Sequence, residues 1–415
     1  MGIAENQLLV VLDSSTKEWN VQLPSSKSIS NRVLIIKALC SGNFEIMGLS
    51  NAHDTQLLCY LLSEDRKIYN AEDAGTTFRF LTSFLALTAE DCTLTGSERM
   101  KQRPIAPLVE ALNSIGANIE YLEEPFYPPL RIRKSDWNSN HVTISADISS
   151  QFITSLLLII PYLPNGLTIE LDGKAVSKPY IDMTLKLMQY FGIEVVQHKK
   201  SIEIKPQQYV AKPIEIEGDW SSASYFYGIC AMSKDLTIRL TKLNKNSIQG
   251  DEIITKIMAK LGVVTDIDHH ICRITKKENH ILPEIVEWDF SDCPDLVMTV
   301  SVTCAGLGVS LLMTGIDSLK IKETDRIQAL RNELKKLGIH LIEIPQRFAN
   351  KSGKKYFLQE GKAKWTSETI IETYNDHRIA MSFAMLGILA PISIENPEVV
   401  RKSYPTFWEN LPFKS

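Results

Sequence analysis

E-L-K-K-L-G-I-H-L-I, residues 333–342, reads as an amphipathic helix that stops at a glycine and runs into a strand. Gly338 stands where a helix end needs a left-handed residue, and the alternation of Ile339, His340 and Leu341 is that of a half-buried strand. The same pattern occurs as A-L-N-S-I-G-A-N-I-E-Y (111–121), L-M-Q-Y-F-G-I-E-V-V (187–196) and I-M-A-K-L-G-V-V-T (257–265). Gly116, Gly192, Gly262 and Gly338 are spaced by 76, 70 and 76 residues. A period of this length marks an internal repeat of one supersecondary unit.

Two further patterns share the period. A short alternating strand leading into a polar loop occurs six times, at 44–49, 92–97, 167–172, 236–241, 309–314 and 392–397. A polar, cap-rich start to an apolar helix also occurs six times, at Ser28–Arg32, 74–79, 149–154, 219–224, 294–299 and 375–380. Six strand–helix–strand–helix units in 415 residues give roughly 70 residues each. Helices this apolar are buried on most sides, so their polar ends must face solvent or a ligand. Helix N-termini attract anions through free N–H groups and the positive dipole end. P-S-S-K-S-I-S-N-R (24–32) is the first such start. Taken alone it reads as a capped surface helix with two solvated cations. As one of six it reads as an anion grip.

The length exceeds one hydrophobic core, so two domains are expected. Hinges are expected near Gln22–Ser25 and Gly218–Ser221, giving one domain of residues 1–23 plus 221–415 and a second of 24–220, with the active site in the cleft between them. The net charge of −4 argues against a general nucleic-acid or membrane-surface role, so any anion site must come from local clustering of Lys and Arg. Seven scattered cysteines without a C-x-x-C pair suit reduced core thiols in the cytoplasm. No signal peptide is read. Leu296–Ile316 is uncharged but interrupted by glycines, and is expected as a buried helix, a turn and a strand. Cations at cap and loop positions are Lys27, Arg32, Arg79, Arg99, Arg103, Lys178, Lys322, Arg326, Arg378 and Lys402, and Asp295 and Glu323 share their loops. A carboxylate beside Lys and Arg reads as a proton shuttle or as a salt-bridge partner.

L-P-S-S-K-S-I-S-N-R, D-A-G-T-T-F-R, R-M-K-Q-R-P-I, S-S-Q-F, V-S-K-P-Y-I-D, K-E-T-D-R and Y-N-D-H-R-I-A-M follow one another along the chain. In this order they resemble the 5-enolpyruvylshikimate-3-phosphate synthase family across nearly the whole sequence. The resemblance implies an α/β fold of two inverted α/β barrel domains, the enolpyruvyl transferase type, with six βαβαββ-like repeats, three per domain. It implies transfer of the enolpyruvyl group of phosphoenolpyruvate to the 5-hydroxyl of shikimate 3-phosphate, with release of phosphate, in the shikimate pathway of aromatic amino acid synthesis. By resemblance, Lys27, Ser28, Arg32, Ser149, Ser150, Gln151, Ser177, Tyr180, Asp295, Ser318 and Lys322 bind shikimate 3-phosphate. Lys27, Gly75, Arg103, Gln151, Arg326, Arg378 and Lys402 bind phosphoenolpyruvate. Glu323 protonates the enol methylene, Asp295 accepts the hydroxyl proton, and Lys322 and Lys27 complete the catalytic set. No metal or organic cofactor, no nucleic acid and no membrane are implied, and a cytoplasmic monomer is expected.

Three positions depart from the family pattern. Asp73 replaces an Asn and adds negative charge beside the phosphoenolpyruvate set; Phe80 replaces a Pro; Ser318 replaces a substrate-contacting Asn. Retained Gly75 implies inhibition by glyphosate. The alternatives are a UDP-N-acetylglucosamine enolpyruvyl transferase, whose loop Cys or Asp is missing near R-M-K-Q-R-P, and a catalytically inactive anion-binding homologue.

Overall fold

The computed structural model describes residues 6–145, 149–173, 176–345, 347 and 353–414. The chain forms two compact units, one of Met1–Ser25 with Glu217–Ser415, the other of Ser26–Ile216. Pro24, Ser25 and Glu217–Trp220 therefore fall with the terminal unit, not with the 24–220 domain expected from sequence. Backbone pairing explains the shift. Ser25 bridges Gly218, the Asp219 N–H donates to Pro24 O at 2.9 Å, and the Gly218 N–H donates to Lys242 O at 2.6 Å.

In the Ser26–Ile216 unit the helices are α1 (Lys27–Leu39), α2 (His53–Leu61), α3 (Gly75–Thr88), α4 (Glu98–Lys101), α5 (Ala106–Ser114), α6 (Ser150–Ile159) and α7 (Lys178–Tyr190). Two sheets have four strands each. In one, Ile68–Asn70 runs parallel to Asp91–Thr95, which pairs antiparallel with Leu130–Arg133 and so reaches Asn118–Tyr121. In the other, His141–Ser145 runs parallel to Leu167–Asp172, followed by Ser201–Ile204 and Val196–Gln197. The third sheet is only Ile46–Met47 beside Ile214–Glu215.

The terminal unit carries α8 (Trp220–Met232), α9 (Ile254–Ala259), α10 (Val297–Leu307), α11 (Arg326–Lys336) and α12 (His377–Ala384). Its two four-stranded sheets repeat the same pattern: a parallel pair, Glu18–Val21 with Thr237–Thr241 or Ile285–Asp289 with Ser310–Thr314, and then an antiparallel hairpin. A three-stranded sheet joins Gln7–Val10, Ile392–Glu395 and Ile370–Ile371.

The three sheets in each unit follow from the sequence pattern. All six alternating segments contain a strand, and the six apolar segments with polar starts are α1, α3, α6, α8, α10 and α12. Gly116, Gly192, Gly262 and Gly338 all have positive φ, between 74° and 109°. Each precedes the hairpin of a four-stranded sheet, so the two repeats without such a glycine are the two with reduced sheets. Val297–Gly306 is buried throughout, Gly308 turns at φ 75°, and the strand Ser310–Thr314 follows, so this uncharged stretch is a core helix, a turn and a strand. Among the described residues, no helix is long and apolar enough to cross a membrane. All seven cysteines are free; five are buried, while Cys59 is exposed.

Candidate active site

In the Ser26–Ile216 unit most of the site residues expected from sequence lie at the starts of α1, α3, α6 and α7. Ser26 caps α1, whose next residue, Lys27, places its Nζ 2.9 Å from Asp54 Oδ2. One turn on, Arg32 is only 3% exposed. Its Nε donates to Thr184 Oγ1 at 2.8 Å, its Nη1 to Ser28 O at 2.7 Å, and its Nη2 to Thr154 Oγ1 and Tyr180 O at 3.4 and 3.3 Å. Its face lies against the rings of Phe80 and Tyr180, 5.5 and 5.8 Å from their centroids. Every one of these partners is neutral. Burial without a carboxylate pulls Arg32 down to about 10, yet it stays cationic at neutral pH. A buried guanidinium held only by neutral acceptors keeps a charge that can attract an anion.

Gly75 begins α3, and a Cβ placed there would lie 2.6 and 2.7 Å from Arg103 Nη1 and Nη2. The missing side chain thus admits the Arg103 guanidinium itself, a closer reason for glycine than ligand approach alone. Arg79 donates to Gly75 O at 3.2 Å and Gln151 donates to Thr76 Oγ1 at 3.2 Å, so α6 steadies the start of α3. Asp73 accepts a short hydrogen bond from Ser97 Oγ, which also caps α4. Ser149 caps α6, Ser150 is its first residue, and Ser177 stands before α7 with φ 56°. The Ser177 hydroxyl makes no cap bond, and α7 packs on both α6 and α1.

In the terminal unit the acids and cations interlock. Arg326, the first residue of α11, is 2% exposed and faces three carboxylates. Nε and Nη2 reach Asp376 at 2.7 and 3.3 Å, Nη1 reaches Asp295 Oδ1 at 3.0 Å, and Nη2 reaches Glu323 Oε2 at 2.8 Å. One Nη1–H of the five donors is left outside these four bonds. Asp295 also accepts from Arg378 Nη2 at 2.9 Å. Burial raises the Asp295 carboxyl, but Arg378, Lys322 and Arg326 outweigh it and hold the group ionised, well below the usual carboxylate range. For Arg326 the same acids outweigh burial and raise it further. Asp376 caps α12 by accepting from the Arg378 N–H at 2.9 Å, which fixes the start of the helix that carries Arg378. Lys402 donates to Asn375 O at 3.0 Å. Ser318 lies half-buried in the 3-10 helix Asp317–Ile321, and among the described residues no hydrogen bond ties its side chain to this cluster.

Sequence reasoning missed four groups. Asp376, fully buried, lay inside the quoted Y-N-D-H-R motif but was not singled out. Thr154 and Thr184, which hold Arg32, carry no local signal. Asp251 is 4% exposed, accepts a short bond from Ser221 Oγ, and keeps Oδ1 without a partner among the described residues. Burial, with Asp295 close by, pushes Asp251 up to about 7.

The chain matches the family model for EPSP synthase (3-phosphoshikimate 1-carboxyvinyltransferase) over residues 59–411. It is 44% identical over 393 residues to the 3-phosphoshikimate 1-carboxyvinyltransferase of Bacteroides fragilis (strain YCH46), covering 94% of each chain. It is 36% identical over 435 residues to the enzyme of the same name from Haemophilus influenzae (strain PittEE), covering 96% of each. The solved structure of an EPSP synthase from Acinetobacter baumannii superimposes with a TM-score of 0.77 at 22% identity, over 98% of this chain and 97% of that one. The match in fold spans both units, and the match in sequence spans the acids and cations of the terminal unit: this chain belongs to the EPSP synthase family.

Proposed function

We propose that the protein transfers the enolpyruvyl group of phosphoenolpyruvate to the 5-hydroxyl of shikimate 3-phosphate and releases phosphate. The observation that carries this is the pairing of an ionised Asp295 with a neighbouring Glu323 around Arg326, Arg378 and Lys322. Two carboxylates on shared cations suit a reaction that moves one proton off a hydroxyl and another onto carbon.

In the addition step, Asp295 accepts the 5-hydroxyl proton as the oxygen bonds to C2 of phosphoenolpyruvate, and Glu323 delivers a proton to C3. The product is a tetrahedral ketal phosphate. In the elimination step, the Glu323 carboxylate takes a proton from the new methyl group, the double bond forms, and the C2–O bond to phosphate breaks. Lys322 and Lys27 offset the charge that develops on oxygen. Arg32 and Ser28 take the shikimate ring and carboxylate; Ser149, Ser150 and Ser177 take its 3-phosphate; Gln151 and Tyr180 pack on the ring; Ser318 reaches the substrate through water. Arg103 beside Gly75, Gln151, Arg326, Arg378 and Lys402 take phosphoenolpyruvate.

Support comes from Arg32, whose buried charge lacks a carboxylate among the described residues, and from the family match, which favours this reading over the sugar-nucleotide transferase. The test is phosphate release by purified protein given phosphoenolpyruvate and either shikimate 3-phosphate or UDP-N-acetylglucosamine. Release with the former alone is expected. Release only with the sugar nucleotide, or with neither, would refute the proposal.

A further inference from the structure

Glu333 lies on α11 seven residues beyond Arg326, on the same helical face, and is fully buried. Arg326 holds Asp376; Glu333 holds the chain just before it. Glu333 Oε1 accepts from Tyr374 Oη at 2.8 Å and Oε2 accepts from the Glu372 N–H at 3.1 Å. Between these two grips and Asp376, Tyr374 and Asn375 have φ of 52° and 53°, a left-handed pair of residues that bear side chains. That turn has consequences on both sides. The Asn375 carbonyl accepts from Lys402 Nζ, and the Asn375 side chain accepts from Asn396 Nδ2 at 2.8 Å. The next residue, Asp376, caps the helix that bears Arg378.

We infer that Glu333 is a positioning residue: through the Tyr374 hydroxyl and the Glu372 amide it holds the left-handed Tyr374–Asn375 turn that sets Lys402 and Arg378 for phosphoenolpyruvate. This rests on the assignment of those two cations to that substrate. An ordinary surface ion pair does not account for the arrangement. Glu333 also meets Lys336 Nζ at 2.8 Å, but Lys336 is 39% exposed and donates to Ile370 O as well, whereas Glu333 turns inward to the chain before α12. Burial raises the Tyr374 hydroxyl most; the Asn332 hydrogen bond lowers it, Glu333 raises it again, and the net shift is upward, so Tyr374 remains a donor at any working pH.

The experiment is steady-state kinetics of Glu333→Gln, Tyr374→Phe and the double variant, with Arg378→Lys as reference, at a temperature where circular dichroism shows each protein folded. Glu333→Gln replaces one of the two acceptor oxygens with an amide donor, so either the Glu372 N–H or the Tyr374 hydroxyl loses its acceptor. Tyr374→Phe leaves Glu333 Oε1 without the hydroxyl that donates to it. Each single change is expected to raise KM for phosphoenolpyruvate about 10-fold. KM for shikimate 3-phosphate should stay within about twofold, and the double variant should add little, because the two residues act as one device. A purely structural role would shift both KM values together, and that result overturns the inference. So does an unchanged KM for phosphoenolpyruvate in the Glu333 and Tyr374 variants when Arg378→Lys raises it. An unchanged KM in Arg378→Lys itself removes the underlying assignment and the inference with it. Should Glu333→Gln fail to fold, Tyr374→Phe, at a half-buried position, decides the question alone.

Discussion

Gly75→Ala separates binding of phosphoenolpyruvate from stability more cleanly than any other single change. Gly75 is the first residue of α3 and has no left-handed φ, so alanine fits the backbone there. The obstacle is Arg103. A new Cβ would stand 2.6, 2.7 and 2.9 Å from Nη1, Nη2 and Cζ, so the guanidinium must retreat by most of an ångström to reach ordinary contact. Because the clash is with the tip of a long side chain, the backbone need not move, and the cost to stability should stay below about 1 kcal/mol. The cost to binding is larger. A displaced charge-assisted hydrogen bond forfeits about 1.5–3 kcal/mol, which is roughly 10- to 100-fold in affinity. The assay varies phosphoenolpyruvate at saturating shikimate 3-phosphate and records thermal unfolding beside it. KM for phosphoenolpyruvate should rise in that range with Tm nearly unchanged, and inhibition by glyphosate, if it competes for the same place, should weaken in parallel. An unchanged KM would refute the role given to Arg103. A large fall in Tm with both KM values raised would show that the glycine is needed for packing instead.

Glu323→Gln keeps the shape but not the proton, so turnover should fall by about 10²–10⁴-fold while both substrates still bind, as read by isothermal titration. Arg32→Lys cannot reproduce the fork that reaches Ser28, Thr154, Thr184 and Tyr180, and should raise KM for shikimate 3-phosphate by about 10-fold or more with KM for phosphoenolpyruvate little changed. Asp251, raised to about 7, binds its proton more tightly folded than unfolded, so its contribution to stability falls as pH rises from about 4 to 7. Asp251→Asn mimics the protonated form at every pH, and unfolding scans at pH 5 and pH 8 should show the variant gaining on the parent protein toward pH 8; a constant difference would refute the shift.

The architecture was legible where one residue type answers one local need. Four glycines at helix ends located four hairpins, and six apolar runs with polar starts located the buried helices, because both signals lie within a few consecutive residues. The cations at cap and loop positions were legible for the same reason, and the roles proposed for them came from the family resemblance. What could not be read were partners distant in sequence. Arg32 meets Thr184 across 152 residues and Thr154 across 122, and Arg326 meets Asp376 across 50. A threonine inside a helix or an aspartate at a helix cap announces no such partner. Phe80 stood out only as a departure from the family pattern; its ring proves to lie against the Arg32 guanidinium. The chain crossings also moved by a few residues, because the Ser25–Gly218 bridge ties both passes into the terminal unit.

Asp295 poses a question of basicity that its surroundings answer. A carboxylate held this far below its usual range is a poor proton acceptor, yet the proposed reaction asks it to take a hydroxyl proton. The groups that hold it down are Arg378, Lys322 and Arg326, and the proposed substrates claim the same three cations. Each phosphate or carboxylate that arrives competes for their N–H donors and cancels part of their field at Asp295, so its proton affinity must rise on binding. Asp376 limits how far this can go, since it keeps Nε and one Nη2–H of Arg326 in place whatever happens at Asp295. On the proposed assignment, Asp295 would be a weak base in the free protein and a stronger one once the anions that share its cations are bound.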